Sequence, residues 1–542
     1  MLSRRSRQAL HPTLRLLASG GRQWARDAGQ LALYRILGGL FLVLLLFSRA
    51  VMPPQTVHPI YQPLQIDKSE SSLKLLIITL EFKKGTFSGN GVYAQSIARS
   101  LAHRGNEVLV ISGKPVKHVD RGKIVDNMKP MNMEAGNMLI NQTKDGQNLS
   151  PVSSEAVSNV QLSKDSNLGL YELEVEVEES GWGRLDWKCP WQSFAQGIGV
   201  YTEFVVEFSP SWALVVDWSA VPAFESLSQV ARLQWRMAFL NFRIYTVSEY
   251  QGENGEVEKL FYKDMESKAV SMASAVSALS SRDAHILATQ LGAGIRDGVV
   301  PKPHFPPLRE DLRALALSAK VTSEGFQSTE EWLSGRVFLT CCVRLSPEKN
   351  TELFASMIEI LAAFLRKQQV VPFLCGGAKG GSPYAERIKS RVKAVMPEAI
   401  IHEGFMGASD LANLYSQTLL NFHPCIYDAY GMTIVEAAAF ASPSIVHVGS
   451  GGAVGAAEFL DPSQDQVFAL DLTATAPIIA GNIKKVFLNR NLLAKIGQTS
   501  SRRSLSWNED ANAGQLIGIL ETAPIFAKQS NTEQGISLTT KL

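Results

Sequence analysis

The chain has 542 residues, of which 45% are hydrophobic and 19% are charged, so it is too long for one ordinary domain and can bury large apolar cores. Its 53 basic and 51 acidic side chains leave a net charge of only +2, which argues against a partner such as nucleic acid or another polyanion. The five cysteines form no CxxC pair, and we interpret them as reduced packing residues.

The first 66 residues have a different composition from the rest, with eight arginines and one acidic residue, Asp27. Residues 36–47 are wholly apolar, but a membrane-spanning helix needs about 20 residues. A span therefore requires that residues 31–34 extend the segment and that the charged end of Arg35 reaches to the membrane surface. We therefore predict membrane association through a single-pass signal-anchor at residues 31–48, of the Golgi or endomembrane type. An organelle transit peptide and a cleaved secretory signal are the alternatives.

A buried strand, a glycine loop and a helix follow one another after the linker that ends at residue 73. Residues 74–81 (KLLIITLE) read as the strand, and residues 92–103 have the periodicity of a helix. The loop between them contains Gly89 and Gly91, whose backbone N–H groups at a helix N-terminus could hold a phosphate. A tight turn without a ligand is the alternative interpretation of this loop.

The rest of the first half continues the alternation of strands and helices. Residues from about 114 to 170 lack a sustained period, and we predict a mobile insertion there. Asp217 follows a strand directly, at the edge of the sheet where ligands bind in open parallel sheets. Two more strands are predicted at residues 242–250 and 275–280, and the prolines of residues 299–308 indicate a hinge.

The second half repeats this architecture, which predicts a second doubly wound parallel sheet. The fold class is therefore α/β, with two Rossmann-like domains facing a cleft. The predicted strands of the second half are residues 336–345, 370–377, 400–405, 419–425 and 443–449. The predicted domains are a basic segment with linker at residues 1–73, an N-terminal domain at 74–305, a C-terminal nucleotide-sugar domain at 306–510, and a final helix and tail at 511–542.

Two cations lie five residues apart in the segment RLSPEK, directly after a predicted buried strand. The guanidinium of Arg344 can hold two phosphate oxygens at once, and the ammonium of Lys349 can neutralise the remaining charge of a diphosphate. A solvated basic turn is the alternative. The small residues of 449–458 allow a backbone to pack closely against a ligand, or equally against a neighbouring helix.

Two carboxylates lie eight residues apart in the segment DAYGMTIVE, which runs from Asp428 to Glu436. Between them Gly431, Met432 and Thr433 would form the first turn of a helix and offer free N–H groups to a phosphate or to sugar oxygens. Both carboxylates could then point toward one bound ligand. An ordinary acidic helix start is the alternative interpretation.

These motifs resemble the GT-B glycosyltransferases of the retaining family four, the group 1 type, over residues from about 74 to 507. The resemblance implies a hexosyltransferase in which Arg344 and Lys349 hold the donor diphosphate. It further implies that Asp428 contacts the transferred sugar and that Glu436 contacts the nucleotide ribose. Gly89 and Gly91 match the loop that approaches the donor phosphate and the acceptor.

The implied function is transfer of a sugar from a nucleotide diphosphate sugar to a hydroxyl of an unknown acceptor, with retention of configuration. Catalytic residues would be Asp428, Arg344, Lys349 and Asp217. We expect no cofactor and no metal, because cations supply the neutralisation and no Asp-x-Asp or His/Cys cluster has ligand spacing. The alternatives are a catalytically silent GT-B binding or regulatory protein and a sugar-nucleotide epimerase.

Overall fold

The computed structural model describes residues 72–525 except for a set of internal segments. These segments are residues 83–88, 117–162, 166–167, 179–189, 232–234, 248–254, 293–294, 320–327, 377–381, 405 and 450–451. The described residues form two α/β domains, each built on a largely parallel sheet. This arrangement confirms the predicted fold class.

The first sheet has eight strands in the order β3-β4-β2-β1-β5-β6-β7-β8, and every pair is parallel except β3 with β4. The strands are β1 (Lys74–Thr79), β2 (Glu107–Val116), β3 (Ser163–Asp165), β4 (Leu170–Glu178), β5 (Trp212–Val216), β6 (Arg236–Asn241), β7 (Ala275–Ala278) and β8 (Lys302–Pro303). The helices between them are α1 (Gly89–His103), α2 (Pro190–Gly197), α3 (Thr202–Phe208), α4 (Val221–Ala231), α5 (Gly255–Met272) and α6 (Ser281–Thr289).

The second sheet has the order β11-β10-β9-β12-β13-β14, and β15 also pairs with β13. Its strands are β9 (Phe338–Cys342), β10 (Val371–Cys375), β11 (Ile400–His402), β12 (Thr418–Phe422), β13 (Ser444–Gly449), β14 (Gly452–Ala453) and β15 (Phe468–Leu470). The helices are α7 (Glu310–Ser318), α8 (Thr329–Leu333), α9 (Thr351–Lys367), α10 (Pro383–Val395), α11 (Ala408–Ser416), α12 (Met432–Ala439), α13 (Ala456–Phe459), α14 (Ala476–Leu488), α15 (Arg490–Ser506) and α16 (Glu509–Glu521).

The central strands are continuous apolar runs because helices cover both faces of each sheet. Leu75, Leu76, Ile77 and Ile78 of β1 are all fully buried, although successive side chains point to opposite faces. Such a strand has no solvated side, so any polar residue in it would lose hydration on both faces. The chemistry is therefore confined to the loops at the strand ends.

Each sheet has a point at which the strand order reverses. In the first sheet the reversal lies between β1 and β5, and in the second it lies between β9 and β12. Loops that leave the carboxyl ends of two such strands diverge to opposite faces of the sheet and leave a crevice between them, in which ligands bind. Arg344 and Lys349 follow β9, Asp428 follows β12, and Asp217 follows β5, so the fold places these four residues at the two crevices.

The chain passes between the domains twice. The first passage follows β8, and in the second α16 returns to the N-terminal domain, where Glu509 accepts a hydrogen bond from Arg99 at 2.9 Å. His304 joins both passages, because its Nε2 lies 3.0 Å from the carbonyl oxygen of Asn512 and its Nδ1 lies 2.5 Å from the hydroxyl of Tyr93. A carbonyl only accepts, so Nε2 carries the proton and the Tyr93 hydroxyl donates to Nδ1.

The predicted strand at residues 242–250 is wrong for residues 242–247, and residues 248–250 lie outside the described part of the chain. The strand β6 ends at Asn241, and the β-branched and aromatic residues that suggested a strand lie in the following loop. There the backbone N–H groups of Tyr245 and Thr246 donate to the carboxylate of Glu266, at 2.6 and 3.2 Å. A side chain of α5 has thus replaced a neighbouring strand as the hydrogen-bond partner of this backbone.

The ends of the predicted insertion belong to the sheet. Strand β2 continues through Val116, and β3 and β4 begin at Ser163 and Leu170. Leu173, Val175 and Val177 of β4 are buried, which is the alternation typical of a strand. Residues 117–162 lie outside the described part of the chain.

The prediction of a single-pass signal-anchor is corrected by the structure. Over the described ranges between residues 72 and 525, no helix combines the length and the apolar character that crossing a bilayer requires. The structure therefore gives the predicted membrane association no support. The segment of residues 31–48 lies outside those ranges.

Candidate functional site

The loops that follow β9 and β12 are joined to one another beside the crevice of the second sheet. The side-chain amide of Asn350 donates to the carbonyl oxygen of Pro424 at 3.1 Å, and the thiol of Cys425 lies 3.6 Å from the carbonyl oxygen of Lys349. These contacts fix the loop that carries the two cations against the loop that carries Asp428. Residues from both predicted motifs therefore share one site.

The centre of this site is a partly buried cluster of Lys349, Asp428 and His423. One oxygen of Asp428 lies 2.7 Å from the ammonium of Lys349 and 3.1 Å from Nε2 of His423. Although burial acts in the opposite direction, Lys349 and His423 hold the pKa of Asp428 well below its usual range. Burial would lower the pKa of His423, but Cys425 and Asp428 raise it to about 9, so the imidazole carries a charge at neutral pH.

His423, Cys425 and Asp428 also have their potential metal-ligand atoms within 4.8 Å of one another. Their spacing in the sequence, H-x-C-x-x-D, is not one of the common metal-ligand patterns, so the cluster was not predicted. The cationic position beside Asp428 is already taken by Lys349, at 2.7 Å. A metal ion there would lie next to an ammonium group, so the cluster suits the ion pair better than a metal.

Arg344 is held much more loosely than Lys349. Its side chain is 64% exposed, and its guanidinium lies 4.0 Å from Glu348. An exposed ion pair of this kind contributes little to stability. Arg344 is therefore free to turn toward an anion in the crevice without breaking a buried interaction.

The predicted turn before α12 is present. Gly431 has φ +90°, and a Cβ there would lie 2.8 Å from the side chain of Ile434, so the position requires glycine. The helix starts at Met432, and its first N–H groups, including that of Thr433, have no partner within the helix. A Cβ on Gly89 would lie 3.3 Å from the sulfur of Met432, so the first residue of α1 lies close to the start of α12.

Gly91, predicted near the donor phosphate and acceptor, and Glu436, predicted at the ribose, are both buried. Gly91 is buried within α1. Glu436 is 6% exposed, and its carboxylate lies 3.9 Å from the guanidinium of Arg309. Burial raises the pKa of Glu436, and Arg309 opposes this shift in part. The structure therefore places Glu436 on the same helix as Met432 but apart from the cluster of Lys349.

Within the predicted small-residue segment 449–458, Gly452 and Gly455 pack against the loop that carries Asp428. A Cβ on Gly452 or Gly455 would lie 2.1 Å from the carbonyl oxygen of Ile426 or Ala429, which no side chain permits. The backbone of Asp428 also donates to the carbonyl oxygen of Ala453 at 3.1 Å. These glycines serve close packing of two backbones, which in turn positions Asp428.

Asp217 lies at the crevice of the first sheet but is only 3% exposed. Its backbone has φ +63°, an uncommon conformation for a residue other than glycine. One carboxyl oxygen accepts from the side chain of Asn90 at 3.3 Å, and the other is buried with no hydrogen-bond partner. Burial raises the pKa of Asp217 to about 8, so this carboxyl is largely protonated at neutral pH.

Residues that the sequence analysis did not select connect the two domains. The hydroxyl of Tyr427 lies 3.2 Å from both carboxyl oxygens of Asp283, near the start of α6. Glu458 accepts from the backbone N–H of Ser281 at 2.7 Å and of Arg282 at 3.4 Å, a favourable position for a carboxylate at a helix N-terminus. Tyr427 precedes Asp428 directly, which was the one signal in the sequence.

Three buried carboxyls make the stability of the protein depend on pH. Burial raises the pKa of Asp217 to about 8 and those of Glu266 and Asp283 to about 7. A raised pKa in the folded state gives stability that is complete below the unfolded pKa and is lost as pH rises through the folded pKa. We expect Asp217→Asn to remove one such contribution, of up to about 1.4 kcal/mol per pH unit between roughly pH 4 and 8.

The measurement is the free energy of unfolding in urea from pH 5 to 8. The variant should become more stable relative to the wild type as pH rises. Asp264→Asn, on the exposed face of α5, is the matched control and should leave the profile unchanged. Equal profiles for Asp217→Asn and the wild type would show that Asp217 is ionised in the folded protein.

Two parallel-sheet α/β domains, each with a crevice at a reversal of strand order, define the GT-B fold. Residues 326–500 match the family model described as glycosyl transferases group 1. The match confirms, for this part of the chain, the resemblance that the motifs indicated. It includes Arg344, Lys349, Asp428 and Glu436.

Solved structures with this fold are similar to the chain over most of its length. Sucrose-phosphate synthase of Thermosynechococcus elongatus is 14% identical, with a TM-score of 0.57 over 83% of this chain and 99% of that one. The catalytic domain of starch synthase IV from Arabidopsis thaliana, bound to ADP and acarbose, is 15% identical, with a TM-score of 0.56 over 84% and 100%. The trehalose 6-phosphate synthase of Burkholderia multivorans is 11% identical, with a TM-score of 0.55 over 83% and 97%. None of the curated proteins matches the sequence.

Proposed function

We propose that the protein is a retaining hexosyltransferase that moves a sugar from a nucleotide diphosphate sugar to a hydroxyl group of an acceptor. The observation that carries the proposal is the convergence of Arg344, Lys349 and the N-terminus of α12 on one crevice, with Asp428 bonded to Lys349 at 2.7 Å. Cations and free N–H groups at this position favour a diphosphate. A carboxylate beside them favours the hydroxyl groups of a sugar.

The ammonium of Lys349 has three N–H donors, of which Asp428 occupies one direction. Lys349 can therefore keep this carboxylate and donate to a phosphate oxygen as well. Arg344, with its exposed guanidinium, would close on the diphosphate from the solvent side. Together with the α12 N-terminus these groups stabilise the negative charge that grows on the diphosphate as it departs. No metal ion is needed in this scheme.

Retention of configuration is inferred from the state of the carboxyl at the facing crevice. Asp217 is only 3% exposed, and one of its carboxyl oxygens already accepts from Asn90, so an acceptor hydroxyl cannot readily reach it as a base. An oxygen of the departing diphosphate would instead take the proton of the acceptor hydroxyl. At the same time the hydroxyl oxygen bonds to the anomeric carbon, and the bond from that carbon to the diphosphate breaks. Attack and departure then take place on the same face of the sugar.

The test is a thermal-shift screen with UDP, GDP and ADP and their sugar derivatives. One nucleotide should stabilise the protein, by about 2.7 kcal/mol at 100 times its Kd. With that donor, turnover should require an acceptor, and the product should keep the anomeric configuration of the donor. Absence of any nucleotide-dependent shift would contradict the proposal. Conversion of the donor without an acceptor would instead favour an epimerase.

A further inference from the structure

Two arginines of the N-terminal domain, Arg243 and Arg282, lie against the same tyrosine of the site. Their guanidinium carbons are 5.8 and 4.9 Å from the centroid of the Tyr427 ring. Arg243 follows β6 and Arg282 lies at the start of α6, so both are carried by the first sheet. Tyr427 comes from the other domain, next to Asp428.

Neither guanidinium group has a hydrogen bond or an ion pair with any residue that the structure describes. Nε of Arg243 and Nη1 of Arg282 are both buried without a partner. Asp283 accepts from Tyr427, and Glu458 accepts from the backbone of Ser281 and Arg282. Asp428 and Glu348, whose charges also act on Arg243, are paired with Lys349 and Arg344. The nearby acidic groups are therefore engaged elsewhere. Buried donors without a partner are costly, and arginine pairs with planar or tetrahedral anions through two N–H groups at once.

The aromatic rings hold the two cations in place without neutralising them. Arg243 also lies 5.7 Å from the centroid of the Tyr245 ring, so it is flanked by two rings. Contact with a ring face orients a guanidinium and limits its hydration but leaves its N–H groups free at the edge. Two oriented guanidinium groups beside one ring, each with a buried N–H that lacks a hydrogen-bond partner, form an arrangement ready for an anion.

We propose that Arg243 and Arg282 form a second anion-binding subsite, which takes a phosphate or carboxylate group of the acceptor. The inference rests on the proposed function, because the donor diphosphate is assigned to Arg344, Lys349 and the α12 N-terminus. Those groups lie in the C-terminal domain, whereas the arginine pair reaches the same cleft from the N-terminal domain. An acceptor held there would present its hydroxyl toward the sugar bound at Asp428.

The first experiment uses inorganic phosphate as the probe on the full chain, saturated with the nucleoside diphosphate that binds it. Phosphate should still raise the melting temperature of the wild type, because the second subsite remains open. In Arg243→Gln and in Arg282→Gln the apparent Kd for phosphate should rise at least about tenfold, because each loses a charge-assisted partner. The Lys variants should recover part of the affinity, since they keep the charge but not the fork.

Arg366→Gln is the matched control, because Arg366 is an exposed arginine paired with Glu398, and it should behave as the wild type. The affinity for the nucleoside diphosphate should stay the same in Arg243→Gln and Arg282→Gln and should fall in Arg344→Gln. Unchanged phosphate affinity in both arginine-pair variants would overturn the inference. Loss of nucleotide affinity as large as the loss of phosphate affinity would also overturn it, since the pair would then hold the diphosphate.

A second experiment separates the acceptor from an acidic donor sugar as the source of the anion. Glucose 6-phosphate and glucuronate are compared with glucose on the nucleotide-saturated protein, and UDP-glucuronate is compared with UDP-glucose. The wild type should bind at least one of the charged monosaccharides more tightly than glucose. The ratio of the affinities for UDP-glucuronate and UDP-glucose should be the same in Arg243→Gln as in the wild type. A donor ratio that changes in this variant would overturn the assignment to the acceptor.

Failure of the proposed function has a different signature. If no nucleotide binds to the wild type, the donor assignment is contradicted. The phosphate titration is then made on the protein without nucleotide, where the difference between the wild type and Arg282→Gln still decides whether the arginine pair binds an anion.

Discussion

Replacement of Lys349 by methionine should lower turnover by about 10²–10³-fold, because the departing diphosphate loses a preorganised cation in a partly buried site. The same change removes the partner of Asp428 at 2.7 Å and leaves that carboxylate with His423 alone. We therefore expect a lower melting temperature as well. The measurement is kcat and KM for the donor, made at a temperature at which the variant is folded.

Two further variants separate catalysis from stability at this position. Lys349→Arg keeps a cation beside Asp428 and should recover stability more fully than turnover, because the guanidinium is larger and planar. Arg344→Gln removes an exposed side chain and should lower turnover with little change in melting temperature. Lys495→Met is the control, since Lys495 is a surface lysine paired with Asp465. Wild-type turnover in both Lys349→Met and Arg344→Gln would show that neither residue takes part in the reaction.

Asp428→Asn and Glu436→Gln should fail in different ways. Asp428 lies beside Lys349, where the sugar would bind, so the loss of its charge should lower kcat on the order of 10²-fold with little effect on the affinity for the free nucleotide. Glu436 lies apart from that cluster, near Arg309. Because the resemblance implies a contact of Glu436 with the ribose, Glu436→Gln should lower the affinity for the nucleotide by about tenfold. Steady-state kinetics with the donor and calorimetric titration with the nucleotide measure the two effects.

An independent signal reports on the ion pair itself. Asp428 contributes to the raised pKa of His423, which is about 9, so the imidazole should titrate at lower pH in Asp428→Asn. The NMR signals of His423 follow this titration without any assay of activity. An unchanged His423 titration would show that the contact at 3.1 Å does not persist in solution. Unchanged turnover in Asp428→Asn together with unchanged nucleotide affinity in Glu436→Gln would reduce the motif to an acidic helix start.

The two sheets could be predicted from the sequence because their central strands are buried on both faces. Runs such as residues 74–79 have no other stable place in a protein of this size, so they identify the strands directly. Strand β4 was missed although its alternation is regular, because it follows a long polar segment. The segment at residues 242–247 was wrongly predicted as a strand. Strand propensity describes how well the side chains suit a strand, but it does not show which group accepts the hydrogen bonds of the backbone.

The site was predictable only in the part that lies in short motifs. Lys349 and Asp428 could be assigned to one crevice because both follow strands directly. The contact of Tyr427 with Asp283 could not be predicted, because it joins residues that are 144 positions apart. The same is true of Arg243 and Arg282, which have no motif around them. Their shared ring, Tyr427, comes from the opposite domain and shows only in three dimensions.

The two passages of the chain between the domains limit how the protein can open. Both pass close to His304, which Tyr93 and Asn512 hold from opposite sides. Two connections side by side restrain sliding and twisting much more than they restrain bending about the line that joins them. The domains should therefore rotate apart about the line that joins the two connections. The widest gap should form at Tyr427 and Glu458, whose side chains make the contacts of the C-terminal domain there. The second connection, α16, belongs in sequence to the C-terminal half but packs on the N-terminal domain. Expression of residues 306–525 alone should therefore expose the apolar face of α16 and yield a fragment that aggregates.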